Sequence, residues 1–305
     1  MRIAIMGSGG VGGYVGARLA AAGEEVVFIA RGPHLAAIRN NGLQLFSPRG
    51  DVHVEARAEE SPAAVGPVDL VVFAVKLRDA EGAAGQLQPL LAPESRVVTL
   101  QNGIDSVAIL SRQLSGEQVI GGAIYVTAAI EHPGVIRASS ALGRIVVGRP
   151  DDPVVRKLTA RPLAGLDIEA VADIETAIWE KFVRLSSFSA ATSLMRARIG
   201  AIRSDPEGRR LLIQFLEEAI AVAAASGHPM RPTFLQESIE MFDGMAAGAR
   251  SSLSEDLEAG HRLELAFLSG RVHGLGLEHD VPTPAHTTAF RALALYSEGR
   301  TAASA

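Results

Sequence analysis

Residues 178 to 195, IWEKFVRLSSFSAATSLM, contain no glycine or proline and have the length of a helix. Successive side chains on a helix step round the axis by roughly 100°. On that wheel Glu180, Arg184 and Ser187 share a polar arc, whereas Lys181 lies apart with Leu185, Phe188, Ser189 and Thr192. A lysine so placed has two readings. Its stem can run along the apolar neighbours while the ammonium reaches water. Alternatively the ammonium is held in a partly dry site and acts as a general acid, which requires a cofactor as its partner in the chemistry.

A second group of residues could hold such a cofactor. Gly7-Ser8-Gly9-Gly10-Val11-Gly12 is G-x-G-x-x-G, placed after the strand-like RIAIM and at the mouth of a helical pattern. Gly7 permits the tight turn, Gly9 lets the backbone approach a pyrophosphate, and Gly12 lets helix and strand pack. The helix N-terminus adds unpaired N–H groups and a positive dipole end. The alternative is a purely structural glycine-rich turn. The next strand ends VVFIARG. An NAD-specific fold places an acidic residue about 20 positions beyond the glycines, and Ala30 and Arg31 stand there instead. A guanidinium can grip a 2′-phosphate bidentately, so Arg31 points to NADP, with His34 as a weaker helper. A solvated arginine at a strand end is the alternative for Arg31. Lys76, after VVFAV, and Asn102, after VVTL in QNG, also fall at strand ends, where ligands of open parallel sheets bind. Asn102 could equally belong to an ordinary Asn-Gly turn.

The elements that must position these residues change along the chain. The first half alternates β-rich runs with helical ones: RIAIM, EVVFIA, VDLVVFAV and RVVTL are each followed by a helical pattern, the third by AEGAAGQLQPLL. That alternation predicts a doubly wound, mostly parallel Rossmann-type sheet. From about 118 to 172 β-rich segments dominate and are expected to extend that sheet. Helical patterns follow at about 174 to 195, 206 to 226, 232 to 246, 254 to 277 and 285 to 298, and the terminal TAASA is expected to fray. The expected organisation is an α/β domain over 1–172 and an all-α C-terminal domain over 173–305.

Totals narrow the function. The chain has 305 residues, 48% hydrophobic and 21% charged, with a formal charge of −5 and no cysteine. Without basic excess or Lys/Arg runs interleaved with aromatics, nucleic acid is not an expected partner. Disulfides and thiolate chemistry are excluded. The strongly apolar stretch VDLVVFAV at 68 to 75 is far below the ~18 residues a spanning helix requires, and no signal-peptide pattern opens the chain, so a cytoplasmic protein without a membrane partner is expected. No G-x-S-x-G elbow and no H-E-x-x-H spacing appears, so serine-hydrolase and metal sites are not expected. His273, His279 and His286 read as polar positions on or between the last two helices.

Taken in order, MGSGGVGGYVGARLAAAG, VVFAVK, QNGID, IWEK, IGAIRSDPEGRRLL, SSLSEDLEAGHRLE and HDVPTP resemble the ketopantoate reductase (2-dehydropantoate 2-reductase) family over nearly the whole chain. The resemblance implies a Rossmann domain joined to a helical domain, with NADPH and a 2-oxo acid meeting between them, and reduction of ketopantoate to pantoate on the way to pantothenate. It implies Lys181 as the catalytic lysine of W-x-K and Glu264 as the acidic residue near it. It places Asn102 near the nicotinamide and substrate, Lys76 at the cofactor, Arg31 on the 2′-phosphate, and Ser252 at the substrate carboxylate. By itself Ser252 is a helix N-cap candidate, and Glu264 a solvated helix carboxylate. Charge that develops on a carbonyl oxygen as hydride arrives suits a protonated lysine; burial would lower its pKa and Glu264 would oppose that fall.

The chain departs from the family where W-x-K continues x-x-x-N-x-x-x-N. Leu185 and Ser189 occupy the two asparagine positions that bond substrate oxygens, and Leu263 stands where threonine is common. The departure keeps open a more apolar keto acid, another carbonyl compound or an imine as substrate. A non-catalytic NADPH sensor is a reading from another class, against which Lys181 and Glu264 together count. Apolar surface in LIQFLEEAIAVAAASG and LELAFLSGRVHGLGL suits a homodimer through the helical domain, and a monomer equally.

Overall fold

The computed structural model describes residues 1–299; the TAASA tail lies outside the described residues. Two compact units form, Met1–Ile174 and a second beginning at Glu175. In the first, the strands are β1 (Arg2–Met6), β2 (Glu25–Ile29), β3 (Leu43–Phe46), β4 (Val52–Val54), β5 (Arg57–Glu59), β6 (Leu70–Phe73), β7 (Arg96–Thr99), β8 (Val119–Tyr125), β9 (Ala128–His132), β10 (Val135–Ala138), β11 (Arg144–Val147) and β12 (Asp167–Ala170). Its helices are α1 (Gly10–Ala21), α2 (Gly32–Asn41), α3 (Ala80–Ala84), α4 (Ser106–Ser111) and α5 (Pro153–Thr159).

Eight strands make one sheet in the order β12-β11-β8-β7-β6-β1-β2-β5. Its centre is parallel, and β1, β2, β6 and β7 are buried at all but their first residue or throughout, as strands covered on both faces must be: every residue of LVVF in β6 is buried. Helix α1 packs closely because Gly16 leaves room for the Phe28 ring, which a Cβ there would approach to 2.3 Å. Ile3, Ile5, Tyr14 and Phe28 join the core they share, each contributing about 1.5–3 kcal/mol by burial.

The 118–172 region does not simply extend the sheet as the sequence reading expects. β8, β11 and β12 do so, with β11 antiparallel to β8. β9 and β10 instead form a hairpin at Gly134 (φ +82°), and β10 pairs with β3, which pairs with β4, in a separate four-stranded sheet. Strands β3, β4 and β5 are too short and too mixed in composition to stand out in sequence. Helix α3 is also shorter than expected, because Gly85 follows it and Pro89 blocks a restart.

The second unit holds α6 (Ile174–Leu194), save its first residue, then α7 (Ile199–Ser204), α8 (Pro206–Ala225), α9 (Phe234–Gly244), α10 (Ser252–Ala259), α11 (Ser269–Glu278) and α12 (Pro284–Leu293). Asp205 starts α8 by accepting from the Gly208 N–H at 2.7 Å, with Pro206 at the first position. The single helix expected over 254–277 is two helices. Gly260 closes α10 in the left-handed conformation (φ 71°, ψ 27°), and a 3₁₀ turn, Leu265–Phe267, intervenes before α11. The buried Glu218 carboxylate caps α12, accepting from Ala285 N (2.8 Å) and His286 N (2.9 Å). His286 is fully buried, donates from Nε2 to the Phe215 carbonyl at 3.0 Å, and burial drives its pKa down to about 4. It is a neutral core group on the last helix. Among the described residues no helix is long and apolar enough to cross a membrane.

Candidate active site

The glycine turn joins β1 to α1. Gly7 has φ +96°, and a Cβ on it would lie 2.7 Å from Val75 N. A Cβ on Gly12 would meet the Gly7 carbonyl oxygen at 2.1 Å, so helix and turn touch backbone to backbone. Gly9 faces nothing within 4 Å. It is the N-cap of α1, which has neither a side-chain cap nor an acidic residue in its first turn. Open space before uncapped amides at a positive helix end is a cradle for an anion, and the residues present fit a pyrophosphate. Ser8 is pinned to the end of β2, its N–H and hydroxyl donating to the Ile29 carbonyl at 3.3 and 2.9 Å. Val11 packs its side chain on the core, leaving only its amide for a ligand.

Arg31 is exposed at the N-cap of α2, two residues beyond β2. The carboxylate of Glu59, paired in register with Ile29, is held by Arg57 (3.0 Å) and Arg39 (2.9 Å), which offsets its repulsion of a phosphate. His34 is not the phosphate helper that the sequence suggests. Its Nε2 lies 2.9 Å from the Ser8 carbonyl and its Nδ1 3.0 Å from the Gly134 N–H, so both ring nitrogens are committed to backbone. Lys76 is exposed beyond β6, and Asn102 follows β7 in a turn where Gly103 has φ +97°. Because β7, β6, β1 and β2 are adjacent and parallel, the glycine turn, Arg31, Lys76 and Asn102 come to one edge of the sheet. Gln101 joins them unforeseen. It is 7% exposed, Thr99 donates to its Oε1, and among the described residues its buried Nε2 has no hydrogen-bond partner. Its place beside Asn102 in QNG was the available signal.

In the second unit the polar arc of α6 is anchored to α9 and to the segment that leads into it. Glu180 pairs with Arg231, and Arg184 donates to Ser238 Oγ at 3.0 Å with its guanidinium 4.3 Å over the Phe234 ring. Trp179 meets Phe182 of the same helix edge-on and stacks on His228 at 4.7 Å, and the second contact, made outside α6, helps to fix the rotation of the helix. Lys181 is thereby turned to the other arc. Its side chain keeps some surface in contact with solvent, yet protein surrounds the ammonium. Burial pulls its pKa from 10.5 down to about 8, and the Glu264 carboxylate, itself 9% exposed at the head of the 3₁₀ turn, opposes the fall. An ammonium with that pKa is both largely charged at neutral pH and a competent proton donor.

Leu185, one turn beyond Lys181, packs against the cluster of Leu253, Leu257, Leu263, Leu265, Leu268 and Leu293. Ser189 is fully buried, and among the described residues its hydroxyl has no partner. Ser252 is exposed at the first position of α10; the N-cap is its neighbour Ser251, whose Oγ accepts from Ser254 N at 3.1 Å and lies 2.9 Å from Thr192 Oγ1. Sequence cannot separate adjacent serines as caps, because the cap is set by where the backbone turns.

A family model described as ketopantoate reductase PanE/ApbA matches residues 3–152, and its C-terminal counterpart matches residues 173–297. A 2-dehydropantoate 2-reductase of Halobacterium salinarum is 30% identical over 290 residues, covering 93% of this chain and 95% of that one. An uncharacterized oxidoreductase of Bacillus subtilis is 27% identical over 97% of this chain and 99% of its own length. The crystal structure of a PanE/ApbA family ketopantoate reductase from Ralstonia eutropha superposes with a TM-score of 0.88 at 30% identity, covering 97% of this chain and 98% of that one.

Proposed function

The chain belongs to the ketopantoate reductase family of NAD(P)H-dependent oxidoreductases, and from that premise we propose that it reduces a 2-oxo acid to a 2-hydroxy acid with NADPH, Lys181 serving as general acid. The observation that carries the reading is the lysine itself: an ammonium with its pKa lowered to about 8 by burial, under the field of Glu264. NADPH, when bound, supplies the hydride. The protein's part is to hold the ketone and deliver one proton from Lys181 Nζ to the carbonyl oxygen as negative charge grows there. The amides at the head of α1 would hold the pyrophosphate, and Arg31 the 2′-phosphate, which selects NADPH over NADH. Residues 1–172 then carry the cofactor and 173–305 the proton chemistry, in the cytoplasm.

Ketopantoate is the first substrate to test, because the Halobacterium salinarum relative is a 2-dehydropantoate 2-reductase. A second reading, an apolar 2-oxo acid, is favoured by Leu185, which offers a substrate hydroxyl nothing to bond and belongs to a leucine cluster. Initial rates with NADPH and NADH over a panel of hydroxylated and aliphatic 2-oxo acids decide between them. Oxidation of neither cofactor with any member would remove the catalytic reading and leave a dinucleotide sensor. Leu185→Asn is expected to move the ratio of kcat/KM values towards the hydroxylated acid by about 5- to 150-fold, the equivalent of ~1–3 kcal/mol for one such hydrogen bond. An unchanged ratio would place Leu185 away from the substrate.

The pH dependence of reduction follows from the same lysine. Only the protonated form can donate, so kcat should be level below pH 8 and fall above it, towards tenfold per pH unit. Glu264 raises the lysine pKa, so Glu264→Gln should shift the descending limb to lower pH. A limb that moves upward, or does not move, would show that another group titrates.

A further inference from the structure

We propose that His34 is a positioning residue for the dinucleotide: it fixes the Ser8–Gly9 peptide plane and so aims the Gly9 N–H into the space where the pyrophosphate would lie. The proposal rests on the dinucleotide reading of the glycine turn. His34 stands in the first turn of α2, with Nε2 2.9 Å from the Ser8 carbonyl oxygen and Nδ1 3.0 Å from the Gly134 nitrogen. A carbonyl can only accept and a backbone N–H can only donate. The ring is therefore in one state, neutral, with its proton on Nε2. Partial burial favours the same neutral form by lowering the pKa.

The Ser8 carbonyl and the Gly9 N–H belong to one planar trans peptide and point in opposite directions. A donor that holds the oxygen therefore sets the direction of the N–H. Gly9 has no side chain to resist rotation of that plane, and nothing lies within 4 Å of where its Cβ would be. On the preceding side Ser8 is already pinned to Ile29 through its own N–H and hydroxyl. His34 supplies the missing restraint on the following side.

Its other nitrogen brings in the β9–β10 hairpin. That hairpin lies on the head of α1: a Cβ on Gly10 would come 2.0 Å from the Ala128 carbonyl oxygen, and one on Gly13 2.7 Å from Ile136 Cγ1. His34 ties the hairpin turn at Gly134 to the glycine turn at Ser8, two segments far apart in sequence. The histidine thus acts through Ser8 and does not touch the phosphate.

The test is NADPH affinity by fluorescence titration at pH 7.5, read with kcat at saturating NADPH and with Tm, for H34A, H34Q and H34N. The Gln amide can reach the Nε2 position and donate to Ser8, whereas Asn reaches only the Nδ1 position and can keep only the Gly134 bond. H34A and H34N should bind NADPH about tenfold more weakly with kcat at saturation within about twofold of wild type, and H34Q should recover most of the affinity. Wild-type affinity in both H34A and H34N would overturn the proposal. So would recovery by H34N and not H34Q, or a fall in kcat and Tm that parallels the loss of binding, because each would make the role a general structural one. If H34A does not fold, the comparison of H34Q with H34N still decides. A wild-type protein that binds neither NADPH nor NADH would overturn the underlying reading, which is a different result from wild-type binding with H34A unchanged.

Discussion

Lys181→Met is expected to lower kcat/KM for 2-oxo acid reduction by about 10²- to 10⁴-fold, the usual contribution of a positioned general acid, while the Kd for NADPH stays within about twofold. Methionine keeps most of the apolar stem and removes the proton donor and its charge. Binding should survive because the glycine turn and Arg31 belong to the other compact unit. Folding should survive as well, since the substitution removes an ammonium whose burial lowers its pKa, and the groups that orient α6, Trp179 and Arg184, are untouched. Stopped assays over the substrate panel and a dinucleotide titration check both halves. Turnover within threefold of wild type would mean that the proton comes from elsewhere, and the proposed chemistry would fail with it. Lys181→Arg should rescue little, because a guanidinium keeps its proton at any working pH.

The glycine turn gives the second large effect, and two of its glycines should behave differently. Gly12→Ala puts a Cβ 2.1 Å from the Gly7 carbonyl oxygen, a backbone atom that cannot swing aside, so the turn and α1 must separate. That variant should lose NADPH binding by more than about 100-fold and unfold at a lower temperature. Gly9→Ala adds a methyl group that meets no protein atom within 4 Å, at φ −74°, an ordinary value for alanine. Its Tm should match wild type. Its affinity for NADPH should nonetheless fall at least tenfold, because the methyl occupies the space from which a pyrophosphate approaches the amides. Calorimetry and titration on the pair separate the two causes. A Gly9→Ala protein that binds NADPH normally would show that nothing approaches the turn from that side.

What the linear order made legible is physical in origin. Short continuous apolar runs such as RIAIM and VVFAV, each followed by a glycine-bearing helical pattern, suit strands buried on both faces, and G-x-G-x-x-G after the first of them implies the turn that Gly7 and Gly12 make. The helical wheel separated Lys181 from Glu180 and Arg184, and the structure uses that separation, tying Glu180 to Arg231 just before α9 and Arg184 to Ser238 within it. The helix ends were less legible. Gly260 breaks the stretch expected as one helix over 254–277, and a glycine in a helical pattern signals either a tolerated residue or a stop.

The sequence by itself determined the doubly wound first unit, the helical second unit, and which residues could do chemistry, because backbone geometry and side-chain type are local properties. Only the tertiary structure decided the separate β4-β3-β10-β9 sheet, the commitment of both nitrogens of His34, the inclusion of Gln101 at the strand edge, and the placing of Leu185 against six leucines. Each depends on partners distant in the chain. Burial sets the lysine's pKa and Glu264, 83 positions on from Lys181, opposes it, so no reading of IWEK alone could fix the acid strength on which the proposed reaction depends.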